Sequence, residues 1–246
     1  IDDRFLSLED LPSNFYPYAD RKQILIRPFA VTELKLIARA IETGDSDYIT
    51  QAIDNCIDFP VTELTIVDYF YLYYWMRIQS YPNTPHYMEW KCDEVLSSED
   101  DEDDERVCGH ENMTALTSKE LKVIYLNDLQ FDAKNLDPRL DFPRVSLLQD
   151  LSLAQDSKTA IQSGKNKEAT FSLDDLVLVN AAKWIKDGNT LREKIEILEK
   201  EPDLELYEIA SKTNKAFEYG VYEYAMVKCG RCGAKRRYRV LLDAPR

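Results

Sequence analysis

Cys92 with Cys108, and Cys229 with Cys232, stand in two pairs far apart in the chain, so a fold that unites them must bring distant segments onto one point. Each pair contains a Cys-Gly step, in Cys108-Gly109-His110 and in Cys229-Gly230-Arg231-Cys232-Gly233. The second is a complete C-x-x-C knuckle, a turn in which glycine frees the backbone to aim sulfurs and nearby N–H groups at one ion. Its flanks, 221–227 and 236–242, have the pattern of β-hairpin arms. The first pair is less regular: Cys92 ends the extended stretch Tyr87-Met88-Glu89-Trp90-Lys91, and Cys108 follows only after an acidic insertion. Together the four thiolates read as the halves of one metal site, against unbound buried thiols or a redox pair. Structural zinc is the default occupant, and an iron–sulfur cluster would use the same four ligands. His110 is an alternative ligand to Cys108, or else donates a hydrogen bond at the site or faces solvent. The fifth cysteine, Cys56, falls in the helical pattern Ile49, Ala52, Ile53, Cys56 and Ile57, as a small buried apolar residue.

Charge narrows the partners. A net −14 argues against a general nucleic-acid binder, whose affinity comes from clustered Lys and Arg. One basic stretch, 235–239, lies on the last hairpin with Arg237 and Arg239 on one face. It is expected to be solvated or to meet acidic protein surface. A hydrophobic fraction of 44% fits a folded protein, and no stretch is long and apolar enough to span a bilayer. With no N-terminal apolar run before a cleavage site, the expectation is a soluble protein in a reducing cytoplasm, where cysteines bind metal more often than they pair. Seven glycines, two histidines and the lack of a P-loop or nucleophile elbow argue against an enzyme. Glu111 beside His110 is the one candidate base for a metallohydrolase.

The expected fold is α+β, with an N-terminal helical region around a central aromatic helix. A small β region is stapled by the zinc-ribbon-like four-cysteine site, and a helical module is inserted in it. Residues 1–23, with Pro12, Pro17, Phe15, Tyr16 and Tyr18, read as an extended arm lying on a neighbouring surface. Residues 24–86 form the helical region, with helices at 32–42 and 46–57. The capping box Thr65-Ile66-Val67-Asp68 opens a helix over 69–78 that is apolar or aromatic all round. Tyr69, Tyr73 and Trp75 on that girdle are expected, with Phe15, Tyr16 and Tyr18, to contact partner chains. Residues 87–156 form the first β and metal half, with a strand at 119–126 and a solvated acidic loop at 97–105 that lacks the ligand alternation of a calcium site. Residues 157–220 are the helical module, starting with a polar linker at 157–167, then helices capped at Ser172 and Thr190 and a third from Pro202. Residues 221–246 are the knuckle hairpin.

Several short motifs carry a family resemblance. Arg27-Pro28-Phe29, Glu33-Leu34-Lys35, Ala52-Ile53-Asp54-Asn55-Cys56, Leu64-Thr65-Ile66, Tyr73-Tyr74-Trp75-Met76-Arg77, Ser80-Tyr81-Pro82 and Trp90-Lys91-Cys92 resemble the baseplate hub subunits of T4-type contractile-tailed bacteriophages. Residues 140–145 and the terminal C-x-x-C hairpin are also similar to that family, and the resemblance covers roughly two-thirds of the chain. The acidic loop departs from it. The resemblance implies a non-enzymatic virion protein of the tail baseplate, assembled in the host cytoplasm. Its expected partners are other baseplate and tail proteins in a symmetric assembly near the tail axis. The alternatives are a hub assembly factor not retained in the virion, and a zinc-ribbon nucleic-acid-binding module.

Overall fold

Hydroxyl residues followed by an acid three positions on start helices where the pattern predicts. Ser172 Oγ accepts from the Asp175 N–H at 3.1 Å, while the Asp175 carboxylate accepts from the Ser172 N–H at 2.8 Å. Thr190 and Glu193 repeat this pairing. Thr65 departs from it. Its hydroxyl oxygen accepts from the Asp68 N–H at 3.1 Å, but its own N–H donates to the Tyr18 hydroxyl at 2.9 Å, leaving the carboxylate free for other donors.

The computed structural model describes residues 5–18, 21–80, 86–96, 106–116, 122–129, 135–202, 204–221 and 224–239, apart from the side chains of 86–88, 106, 115–116, 166, 224–226 and 236–239. The acidic loop 97–105 and the side chains of Arg236, Arg237, Tyr238 and Arg239 lie outside these residues, as do 119–121 of the expected strand and 240–242 of the hairpin arm. The elements run β1 (Leu6–Leu8), β2 (Ile24–Ile26), α1 (Val31–Thr43), α2 (Asp47–Asp54), α3 (Ile66–Ser80), β3 (His86–Lys91), β4 (Val95–Leu96), β5 (Arg106–Val107), β6 (Glu111–Leu116) and β7 (Val123–Ile124). There follow α4 (Leu148–Gln162), α5 (Leu173–Ala182), α6 (Leu191–Lys200), α7 (Glu205–Ala216), β8 (Gly220–Val221), β9 (Tyr224–Lys228) and β10 (Lys235–Arg239). Seven α-helices and small two-stranded sheets make the described chain α+β. None of the described helices is long and apolar enough to cross a membrane.

Two units interleave in sequence. The first comprises Ile1–Arg27, Ile53–Tyr73 and Ile124–Gly220. Its core gathers Leu140, Phe142, Phe171, Trp184, Ile185, Leu191, Ile195, Leu206 and Phe217 from α4 to α7 and the segments beside them. The Phe142, Trp184 and Phe217 rings meet at centroid distances of 5.1 to 5.8 Å, and Trp184 Nε1 donates to Asn214 Oδ1 at 3.0 Å. Helix α4 runs through most of the stretch predicted as a polar linker. Ser157 belongs in it because its buried hydroxyl donates to the Leu153 carbonyl and accepts from the N–H groups of Thr170 and Phe171. Helix α5, capped at Ser172, ends at Ala182. Beyond it the chain pairs with 139–141 instead, through Asp141 N–H to the Trp184 carbonyl and Lys186 N–H to the Arg139 carbonyl. The expected helix at 46–57 is shorter, because its last residues leave to pair with β2: Ile57 bridges Ile26, and the Cys56 carbonyl accepts from Arg27.

The described residues of the segment predicted as an extended arm, 5–18 and 21–23, fold back on their own unit, and 1–4 and 19–20 lie outside the described residues. Strand β1 pairs antiparallel with β2, and between them 11–18 wind into successive turns that bury Leu11, Ser13, Phe15 and Tyr18. Asn14 and Phe15 take φ of 51° and 59°, a conformation costly for an aromatic residue and held here by the burial of its ring. The anchor is Asp68. Fully buried, it accepts from Ser13 N–H at 3.0 Å, from the Tyr18 hydroxyl at 2.6 Å and from the Thr65 hydroxyl at 2.9 Å. The sequence hides this because the contact is between distant residues and leaves no periodicity. In the same unit a methyl on Gly220, at φ 114°, would meet Val67 Cγ1 at 2.5 Å, so only glycine fits there.

The second unit comprises Pro28–Ala52, Tyr74–Val123 and Val221–Arg246. Helix α1 stops at Gly44, which adopts φ 73° and returns its N–H to the Ala40 carbonyl at 2.8 Å. Strands β3 and β6 pair antiparallel from His86 opposite Leu116 to Lys91 opposite Glu111. Strands β4 and β5 make a short antiparallel ladder, and β9 pairs with β10 from Tyr224 opposite Arg239 to Lys228 opposite Lys235.

Tyr18→Phe should cost about 1 to 3 kcal/mol in urea denaturation, because Asp68 loses a donor and the Thr65 N–H its acceptor. Burial raises the Asp68 carboxyl above its ordinary 3.8, against the opposing pull of Ser13, Tyr18 and Thr65. Its folded pKa therefore lies above the unfolded one. Its contribution to stability is complete below the unfolded pKa and is lost as pH rises through the folded pKa. The wild type should gain stability relative to Asp68→Asn as pH falls from about 7 to about 4, and a constant difference would refute this.

Candidate metal centre

The backbone of the second unit presents Cys92, Cys108 and Cys229 directly after paired strands and Cys232 in the turn between β9 and β10. Cys92 follows β3 and donates its N–H to the His110 carbonyl at 2.9 Å, while Gly109 returns an N–H to the Cys92 carbonyl at 3.0 Å. Gly109 makes this turn at φ 59°. Cys108 follows β5 and donates to the Glu94 carbonyl at 2.8 Å, which closes the base of the β4–β5 hairpin. On the other half, Cys229 N–H donates to the Ala234 carbonyl at 2.9 Å, and Gly233, at φ 74°, donates to the Cys229 carbonyl at 3.0 Å. The left-handed positions thus fall at Gly109 and Gly233, while Gly230 does not need one.

All four sulfurs lie within 4.8 Å of one another. Cys92 Sγ stands 3.7 Å from Cys232 Sγ, and Cys108 Sγ 3.9 Å from Cys229 Sγ. The sulfur–sulfur edge of a tetrahedron with metal–sulfur bonds of about 2.3 Å is about 3.8 Å, so the spacing fits a shell around a single ion. Cys92, Cys108 and Cys229 are buried against Trp90 and Val227, and Cys232 is partly exposed. Trp90 Nε1 donates to Thr114 Oγ1 at 2.9 Å, which fixes the indole across the ladder.

The thiols differ in acidity. Burial pushes Cys229 up, but the N–H groups of Cys232 and Arg231 and the Asn112 amide outweigh it and bring the thiol down to about 6. The Glu94 N–H lowers Cys92, but burial and the other three thiols together push it up to about 12. Four sulfurs this close cannot all ionise without a cation among them.

Of the other sequence candidates, His110 is exposed, with its Nε2 beside Gly230, and belongs to no ligand cluster among the described residues. Phe15, Tyr18, Tyr69 and Tyr73 are buried within the chain, whereas Tyr16 is 41% exposed and Trp75 partly so. Cys56 is fully buried, apart from the cluster. The sequence gives no signal for Asn112, since a lone asparagine in a strand has no ligand spacing. Its Oδ1 accepts from the Gly230 N–H at 2.9 Å, and its Nδ2 donates to the His110 carbonyl at 2.9 Å and to Cys229 Sγ at 3.7 Å.

Cys229→Ser should lower zinc affinity by more than the roughly 100-fold typical of losing an outer hydrogen-bond partner, while Cys56→Ser should retain wild-type zinc stoichiometry. Equal zinc retention by the two purified variants would argue against a shared site.

Comparison with known proteins places the chain in a family. Residues 8–244 match the family model described as T4 bacteriophage base plate protein. No curated protein and no solved structure matches the chain. With the match spanning nearly all of its length, the chain belongs to the T4 bacteriophage base plate protein family.

Proposed function

We propose that this baseplate protein is a non-enzymatic structural subunit of the tail hub, retained in the virion, in which one zinc ion staples two distant segments of the chain. The observation that carries the reading is the convergence of Cys92, Cys108, Cys229 and Cys232 within 4.8 Å in a chain of the baseplate family. Sulfur distances of 3.7 and 3.9 Å favour a single ion over an iron–sulfur cluster, which must fit several metal and sulfide atoms inside its ring of thiolates. Four thiolates also complete a tetrahedral shell and leave no open position for a substrate, which supports a structural role. Family membership supports other baseplate proteins as partners. Tyr16 and Trp75, which keep exposed surface, are the partner contacts proposed here, while Phe15, Tyr18, Tyr69 and Tyr73 are buried within the chain.

Two measurements test the proposal. Elemental analysis of purified protein should find one zinc per chain, and iron with acid-labile sulfide would overturn the single-ion reading. Quantitative mass spectrometry of purified virions should find the protein in fixed ratio to other baseplate subunits. Its presence in infected cells but absence from virions would make it an assembly factor.

A further inference from the structure

We infer that Asn112 is the positioning residue of the metal centre: its carboxamide ties the Cys229 knuckle to β6 and aims an N–H at the Cys229 sulfur. The inference rests on the four cysteines holding an ion. Three contacts carry it. Oδ1 accepts from the Gly230 N–H, inside the second knuckle, at 2.9 Å. Nδ2 donates to the His110 carbonyl at 2.9 Å and to Cys229 Sγ at 3.7 Å. The His110 carbonyl is the same group that accepts from the Cys92 N–H, so one amide connects the backbones of both halves. Asn112 and Gly230 are 118 residues apart, and no regular ladder joins β6 to β9 among the described residues.

The chemistry selects an amide. A carboxylate in this position keeps the acceptor but loses both donors and places a negative charge beside a thiolate. Serine and threonine lack the reach, and leucine keeps the volume without any polar atom. Strand β6 holds the group in place, since Asn112 sits opposite the buried Trp90 in the β3–β6 register. An N–H aimed at a thiolate stabilises its charge, and the bond to Gly230 sets the knuckle before the ion arrives. The Arg231 guanidinium makes a longer tie to the Cys108 carbonyl, at 3.4 Å, while the backbone N–H of the same residue bonds the Cys229 thiol.

The test uses the full chain in zinc competition against a chromogenic chelator, followed by Co²⁺ substitution. Asn112→Leu should weaken zinc binding about 10- to 100-fold, the usual effect of removing a partner of a metal ligand. Met113→Ala, at the next strand position and 64% exposed, should bind like wild type. The Co²⁺ form of Asn112→Leu should keep tetrathiolate absorption, with its sulfur-to-metal charge-transfer band shifted to lower energy, because the Cys229 thiolate has lost an N–H donor. A general loss of fold would not produce that shift. If Asn112→Leu fails to fold, Asn112→Thr, suited to a strand but too short to reach Gly230, decides instead and should show the same weakening and shift. Wild-type affinity with an unmoved band in the deciding variant would overturn the role of Asn112. Failure of the wild type to bind zinc or Co²⁺ would overturn the metal site itself, a different outcome.

Discussion

Charge repulsion among four sulfurs is the constraint on which the second unit depends. The sulfurs lie within 4.8 Å, three of the cysteines are buried, and the thiols are driven apart in acidity, Cys229 down and Cys92 up. A cation at the centre would remove the conflict, and its binding energy would then become folding energy. Strands β3 and β6 and strands β9 and β10 are each two-stranded pairs, and such pairs are marginal on their own in water. One ion held by the four sulfurs would join the ends of both and supply the cross-link that a small hydrophobic core around Trp90 and Val227 does not.

The first unit solves a similar problem with a carboxylate. Asp68 is fully buried, and its charge is held by N–H and O–H dipoles from Ser13, Tyr18 and Thr65 instead of by a salt bridge. Burial and the nearby Asp68 both raise the hydroxyl pKa of Tyr18 and of Tyr219, so both phenols stay protonated and Tyr18 remains a donor. Removing any one of these donors would expose the cost of an incompletely solvated buried charge. This is why a segment without helical or strand periodicity can be fixed: its residues are ordered by a polar network and by the burial of Leu11 and Phe15.

What the sequence revealed follows from the range of each interaction. The helix starts at Ser172 and Thr190 were legible because a capping box is complete within four residues. The cysteine cluster was legible because thiolates in knuckles are rare and chemically specific, even at long range. The turns at 11–18 were not, since the Ser13 N–H and the Tyr18 hydroxyl meet Asp68 at separations of 55 and 50 residues. Helix α4 was hidden by composition: Ser157 reads as linker, yet its hydroxyl is consumed by Leu153, Thr170 and Phe171. Asn112 was hidden because its three hydrogen bonds, two of them to backbone groups, reach partners as far as 118 residues away and leave no spacing pattern.

The acidic insertion between the first two cysteines is tolerated for a reason the described residues make clear. Val95 pairs with Val107 and Leu96 with Arg106, and the Cys108 N–H returns to the Glu94 carbonyl, so the insertion is closed off at its base before the metal ligands are reached. Cys92 and Cys108 are then held by this ladder and by Gly109, and the length of chain beyond Leu96 enters only through a loop-closure entropy that grows with the logarithm of length. Doubling such a loop costs only about 0.6 kcal/mol. The spacing of Cys92 and Cys108 is thus set by the β4–β5 ladder, which lies between the insertion and the two thiols in sequence, and by the turn at Gly109.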